Sequence, residues 1–536
     1  MPIVKKCCFW AAILLTGAVA ALADTLPAIP SAAAISKTQV DYYRGNIGHT
    51  GVATESLVAP LSVLWRHTTS LAKNNPASPV YGAATVYFPS AGALYALNAV
   101  DGTTKWQYPA DSKAHAYFAS TPALSGGFLY VTDDDGQAYK IEAATGKEVW
   151  TAKLEGAIRS APVLSEGLVF FGSGNDHCYA LSADTGQVVW DQPTGGSITT
   201  SPTITGGLVV FASADNNIYS LNVRTGKKAW SVAFDADPSV APLVFDGREI
   251  YVTAGDTVYG LDPGNGTRRS KIQLPTTVLV PPTISSDSVY VVTQANVLYA
   301  LTSAGHEKWR VTLDGAETAP PLLAGNMLLA ATQPGVVSGY ETGSGKLVWR
   351  YVMQASATDS QPKYPTANVF AAPIVADGTL YIVSDDGSLT AFRKDAPDAV
   401  APQMSQLVPE TGATVRGDNL TYGALIVDDG TGINPATVRL LVDGEEDTQA
   451  KYHAGQNAVY NMPTTPLKEG THELTVKASD WRGNAVSQTW SFTISDQAQG
   501  PGRFGPPGFS PFGPGYPGGG GRNPYAPPPP PPIAGF

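Results

Sequence analysis

A tyrosine returns at a fixed interval through the middle of this 536-residue chain. Tyr139, Tyr179, Tyr219, Tyr259 and Tyr299 stand 40 residues apart, and Tyr95 precedes the first of them by 44. Each opens a shared phrase: Tyr179-Ala-Leu181 followed by Thr185-Gly186 and Trp190 recurs as Tyr219-Ser-Leu221 followed by Thr225-Gly226 and Trp230. Two further copies follow with Ser338 and Thr390 in the tyrosine place, which makes eight. A forty-residue period means one supersecondary unit repeated in a stack or a ring. Within a copy the apolar runs are short and β-branched, and Gly, Asn and Asp punctuate them where hairpins need special backbone angles. In the third copy this predicts strands over Arg159–Leu164, Leu168–Phe171, Cys178–Leu181 and a last one ending at Trp190. Four strands in forty residues is a propeller blade, so the expectation is an all-β fold built on an eight-bladed β-propeller.

Closure is testable by counting. The last strand of a blade follows only the first seven copies, at Trp106, Trp150, Trp190, Trp230, Ser270, Trp309 and Trp349. After Phe392 the eighth copy runs into Lys394, Asp395 and Pro397 without one. The missing strand stands at the other end, around Trp65, 30 residues before Tyr95. Pairing it with the eighth copy removes both open edges of the ring. The propeller is therefore expected over 61–395.

The Thr-Gly-x-x-x-Trp phrase with Tyr-x-Leu before it resembles the tryptophan-docking repeat of pyrroloquinoline quinone (PQQ) type propellers. That resemblance implies that Trp65, Trp106, Trp150, Trp190, Trp230, Trp309 and Trp349 pack structurally between neighbouring blades, and that Ser270 leaves one weaker contact. The family has two branches, quinoprotein alcohol dehydrogenases and non-enzymatic propellers such as the outer-membrane assembly factor BamB. The repeat is specific for architecture and silent on activity.

A quinoprotein needs a cation held by carboxylates, a catalytic base and a platform for a planar cofactor. In family enzymes these groups sit where the inner strands meet the central funnel, three and four residues before each inner-strand proline. Here those sixteen positions hold one arginine, Arg159, and one glutamate, Glu317. The two are expected to be solvated, with pairing to one another or holding a small ligand as the alternative. The seven histidines have no short metal spacing, and Cys178 occupies a position that other copies fill with Ile218 and Leu298, so it reads as a buried apolar thiol. The reading is of no catalytic, metal or cofactor-binding residue, with a bound PQQ as the rejected alternative. A net charge of -11 leaves no basic surplus for phosphates, so nucleic acid is not an expected partner.

Three blade connections are longer than the rest and fall at consecutive seams of the ring. They carry Tyr108, His115, Tyr117, Phe118, Tyr351, Gln361, Lys363 and Tyr364 on one face. Aromatic loops on a rigid scaffold predict a partner surface there, for a protein or an extracellular polymer. At the amino terminus Lys5-Lys6, an apolar run and Ala21-Leu22-Ala23 have the order of a secretory signal over 1–23. Residues 24–60 then read as a linker, and no other segment is expected to span a membrane.

Past the repeat, alternating strands over 400–495 predict a β-sandwich that resembles bacterial immunoglobulin-like domains. Asp428, Asp429 and Asp480 there read as turn caps, with calcium ligation as the alternative. Gly and Pro are frequent, 55 and 43 positions. Their excess concentrates in 497–536, which is expected to be a disordered tail. The whole is expected to be an exported, monomeric, non-catalytic binding or scaffold protein of the periplasm, exterior or cell envelope, similar to the BamB branch.

Overall fold

The computed structural model describes residues 39–69, 77–90, 92–111, 117–118, 120–238, 241–355, 366–418 and 420–498. The expected signal sequence and most of the Pro/Gly-rich tail lie outside them. The repeats form eight four-stranded sheets, seven of them built from consecutive strands. The third blade is representative: Val163–Ser165, Leu168–Gly172, His177–Ser182 and Val188–Pro193, each antiparallel to the next. The eighth closes across the termini as the count requires. Ser62–Thr68 pairs with Ser388–Arg393, with Ser62 opposite Arg393 and Thr68 opposite Ser388.

Two details of the blade differ from expectation. In seven blades the first strand begins only after its proline and is at most three residues long, because the proline ring supplies no N–H to the ladder; in the seventh blade it runs Glu317–Ala324 through Pro320 and Pro321 with register shifts there. In the fifth and sixth blades it shrinks to Val244–Phe245 and Thr283–Ile284. In the last strand, Leu181 faces Val188 while Ala180 faces Trp190, so Val189 is an extra residue. The same shift precedes Trp106, Trp150, Trp230, Trp309 and Trp349. Such a bulge re-aims the side chain that follows it.

That bulge explains the repeat phrase. Trp190 donates its indole N–H to Val223 O of the next blade at 2.9 Å, and its ring lies on Gly226, where a Cβ would come within 2.8 Å of it. Gly226 also has φ +67°, so the Thr-Gly turn needs glycine for both space and backbone angle. Trp65, Trp106, Trp150, Trp230 and Trp309 repeat this geometry on Ala99, Ala143, Ala183, Pro263 and Thr342. At the Ser270 position, Ile272 lies over the equivalent glycine, Gly305, at 3.3 Å.

Residues 39–57 are no linker. Val40 pairs with Tyr81 of the first blade, and Asp41 O accepts from Leu124 N of the second. Ile47 O accepts the Thr203 hydroxyl, Gly48 O accepts Phe245 N–H, and Thr50 O accepts Ile284 N–H. Gly51 and Ala53 both bond to Leu323, and the Glu55 carboxylate accepts from Asp377 and Gly378 N–H. This strap thus reaches the inner strand or first hairpin of seven blades. Arg44 pins it: the guanidinium is fully buried and donates to Pro282 O at 2.9 Å, Thr283 Oγ1 at 2.8 Å and Pro321 O at 3.4 Å.

Beyond the ring, two sheets face one another around Leu440, Leu474, Val476, Trp490, Phe492 and Ile426. One holds Gln403–Val408, Tyr422–Val427, Ala458–Asn461 and Lys451–His453; the other holds Thr414–Val415, Ala485–Ile494, Gly470–Ser479, Arg439–Val442 and Glu445–Glu446. Alternation in the sequence marks four strands, at 424–427, 437–442, 472–478 and 489–494, and nine are present. The additional ones are short or polar on both faces and carry no alternation. No helix among the described residues is long and apolar enough to cross a membrane.

Candidate partner surface and central channel

Four antiparallel strands put the second hairpin of each blade and the link to the next blade on one face of the ring. Tyr108 ends the strand Thr104–Tyr108 there and donates its hydroxyl to Glu148. Its ring packs 5.9 Å from Tyr139 and 6.3 Å from Phe118. Tyr117 is 52% exposed, with its carbonyl accepting Asp134 N–H. Phe118 departs from expectation: it is buried, bridges to Asp133 and stands edge-on to Tyr139 at 5.5 Å. It occupies the position four before the inner proline, which Ile158, Ile198 and Val278 fill elsewhere and bury completely.

Tyr351 also departs from expectation. It is buried against Trp349 and Phe392, its hydroxyl 3.5 Å from Asp429 O, so it faces the sandwich rather than solvent. His115, Gln361, Lys363 and Tyr364 lie outside the described residues. Of the sequence-predicted surface, Tyr108 and Tyr117 are the described aromatics that reach this face.

In the channel, Arg159 does not pair with Glu317. Its guanidinium binds Asp134 at 3.0 Å. Glu317 sits at the position of Ile158 and Val278, and although its residue surface is part-exposed, both carboxylate oxygens are shut from solvent. Neither oxygen has a hydrogen-bond partner among the described residues. Burial pushes its pKa well above the carboxylate range, opposed in part by the Arg44 charge, and so favours the protonated form. Arg44 itself is lowered to about 10 by burial. His49, on the same strap, is lowered to about 4, again by burial, and its Nδ1 lies 3.2 Å from Leu243 O. A carbonyl only accepts, so Nδ1 carries the proton of a neutral ring.

A quinone with a carboxylate-held cation does not fit these groups. The described residues at the funnel are Arg159, Thr199, Leu279, Thr318 and Phe370; the Thr318 hydroxyl donates to Val369 O, and Glu317 is the one acidic side chain among the described funnel positions. Cys178 is buried, and burial pushes its thiol pKa far up, which disfavours the thiolate.

Among the described residues, three carboxylates lie within reach of one ion at a single place, Asp398, Asp428 and Asp480, whose oxygens are within 4.8 Å of one another. This lies at the sandwich, far in sequence from the funnel. Asp398 accepts Thr431 N–H at 2.8 Å, Asp428 accepts Gly432 N–H at 2.7 Å, and Asp480 accepts Arg482 and Asn484 N–H. Burial, with Asp398 and Asp480 adding to it, pushes Asp428 up to about 6. The sequence reading found Asp428 and Asp480 but took Asp429 for the third; Asp398, in the connecting segment, was missed.

The family model described as outer membrane protein assembly factor BamB matches residues 112–241, 162–277 and 234–419, overlapping stretches that cover more than half of the chain. The chain belongs to this family of PQQ-like repeat propellers. Its BamB-type fold is shared by solved structures at low identity. BamB from Moraxella catarrhalis is 17% identical with a TM-score of 0.50, over 62% of this chain and 99% of that one. The quinohemoprotein alcohol dehydrogenase from Comamonas testosteroni is 16% identical with a TM-score of 0.54, over 70% and 83%. The computationally designed Ika8 protein is 15% identical with a TM-score of 0.51, over 62% and 99%. At these identities the likeness is one of fold. No curated protein matches the chain in sequence.

Proposed function

We propose that this BamB-type propeller is an exported, non-catalytic binding or scaffold protein of the cell envelope, which holds a protein or polymer partner on its loop-bearing face. The observation that carries the reading is the donor set of the funnel. Arg159 is committed to Asp134, and Glu317 is the single acidic side chain among the described funnel positions, which supports a reading without a carboxylate-held cation beside a quinone. The strap over the inner strands adds a constraint, since seven blades have spent inner-rim hydrogen-bonding groups on residues 39–57. Recognition then falls to the surface around Tyr108 and exposed Tyr117, together with the loops that carry His115, Lys363 and Tyr364.

The rival class is a PQQ-dependent dehydrogenase, the activity named for some fold neighbours. Incubating the mature chain with PQQ and calcium separates the two. The expected result is no bound chromophore and no dye-linked alcohol oxidation, and turnover would overturn the reading. Replacing Tyr117 and Tyr364 by Ala is expected to abolish capture of the partner from native envelope extracts without lowering thermal stability.

A further inference from the structure

We propose that the outer edge of the second blade is a self-association surface, where the strand Glu148–Lys153 pairs antiparallel with the same strand of a second copy. The strand is the last of its sheet, so one side of its backbone is unpaired among the described residues. Leu154 N–H donates to Gly136 O, and Lys153, Ala152 and Thr151 face Gln137, Ala138 and Tyr139. Hydrogen-bonded and non-bonded pairs alternate in an antiparallel ladder. Thr151 and Lys153 therefore turn their N–H and C=O groups outward.

Exposed strand edges are normally guarded by charge or proline. The fifth blade carries Arg268, Arg269 and Lys271 on this edge, the sixth Lys308 and Arg310, and the fourth Lys228. The third blade exposes Val188 and Val189 but ends on Pro193. The seventh is covered by the sandwich, whose Trp481 indole donates to Arg350 O. The second blade has an exposed Val149, at 49%, and an exposed Thr151 in the middle, with one acid and one base at opposite ends.

Those end charges select the occupant. A two-fold axis through Thr151 lays Trp150 opposite Ala152 and brings the Glu148 end of each copy over the Lys153 end of the other, twice by symmetry. On the fifth blade the same operation would bring like charges together. Glu148 is positioned by the Tyr108 hydroxyl and Lys153 by Asp135 O, so both side chains are held at the edge. An isologous contact closes at two copies and does not propagate. Six residues of edge contact bury far less than the roughly 800 Å² per partner of a stable interface, so the dimer is a weak, reversible one. This differs from the monomer expected from the sequence, and the edge adjoins the proposed partner surface at Tyr108, whose hydroxyl Glu148 accepts.

Sedimentation velocity on the mature chain over a wide concentration range tests it. A concentration-dependent dimer is expected. Glu148→Lys or Lys153→Glu alone should each weaken it by about five-fold or more, since opposite charges become like charges at both ends. The double variant should restore it, and Val149→Lys should abolish it with the unfolding temperature unchanged. Thr151→Cys should cross-link on oxidation, while Ser231→Cys at the equivalent place on the fourth blade should not. A monomer at every concentration, a dimer indifferent to Val149→Lys, or equal cross-linking at both cysteines would each overturn the proposal.

Discussion

Trp349 donates its indole N–H to Thr431 O at 3.1 Å, sharing it with Leu61 O at 3.0 Å. In six other blades the same indole docks on the glycine turn of the next blade, at Gly102, Gly146, Gly186, Gly226, Gly266 and Gly345. The eighth blade has no such turn, because its last strand comes from the amino terminus. The loop Asp428–Gly432 of the sandwich takes that place: Val63 N–H donates to Gly430 O, and Gly432 lies against Arg350 O and Tyr351. Trp481 and Arg482 complete the joint on Arg350 O, Ser62 Oγ and Ala396 O. The sandwich is thereby docked as part of the repeat's own packing logic and is not hung from a tether.

Trp349 is fully buried, so Trp349→Ala is expected to cost about 3–5 kcal/mol through the cavity and the lost contacts. Trp190→Ala should cost a similar amount. Only the first should free the sandwich. Limited proteolysis checks this: cleavage between Asp395 and Pro402 should accelerate in Trp349→Ala and not in Trp190→Ala.

Arg44→Met keeps much of the apolar stem but removes three hydrogen bonds made by a buried charge. Bonds to charged groups are worth about 1.5–3 kcal/mol each, and the charge regains its desolvation on removal, so a net loss of about 3 kcal/mol is expected in urea unfolding. Hydrogen exchange should locate the damage. The Ala53 and Leu323 amides, which bond between strap and seventh blade, should lose protection before the amides of the third blade.

His49 gives the strap a pH dependence. Its folded pKa, about 4, lies below the ordinary imidazole value, so the unfolded chain binds its proton first on acidification. Stability from this group is therefore complete above pH about 6.5 and declines as pH falls toward 4, by on the order of 3 kcal/mol. The slope of unfolding free energy against pH in that window should flatten in His49→Gln. An unchanged slope would mean that the ring is not buried neutral.

How much of this was legible follows from where the information lies. The ring, its seam and the docking tryptophans are periodic, and a period survives in a single sequence because each copy checks the others. The burial of Phe118 was equally readable, since Ile158, Ile198 and Val278 stand in the same register. Arg44 was not, because its partners Pro282, Thr283 and Pro321 lie more than two hundred residues away and the strap occurs once. Its local mark is backbone rather than composition: Arg44 and His49 both have φ +55°, a region that non-glycine residues enter rarely. Asp398 was hidden for the same reason, as a single aspartate in a connecting segment that only the folded joint brings to Asp428 and Asp480.

That joint supplies the last prediction. Asp428 has a folded pKa of about 6 against an ordinary 3.8, raised by burial and then by Asp398 and Asp480. For an acid whose folded pKa is raised, the folded state binds the proton more tightly, so stability falls as pH rises from about 4 to 6 and stays reduced above it. Asp428→Asn removes the charge yet keeps an oxygen for the Gly432 and Gly430 N–H groups, which the Asp428 Oδ2 now accepts. At pH 8 without divalent cations, the variant should therefore be more stable than the parent. Asp428 retains some solvent access, which screens the repulsion and limits the gain to about 1 kcal/mol. At pH 4, where the parent carboxyl is itself protonated, the two should unfold together. Thermal unfolding at both pH values, in chelator, checks the sign: a variant less stable at pH 8 would mean that the charge on Asp428 supports the joint rather than straining it.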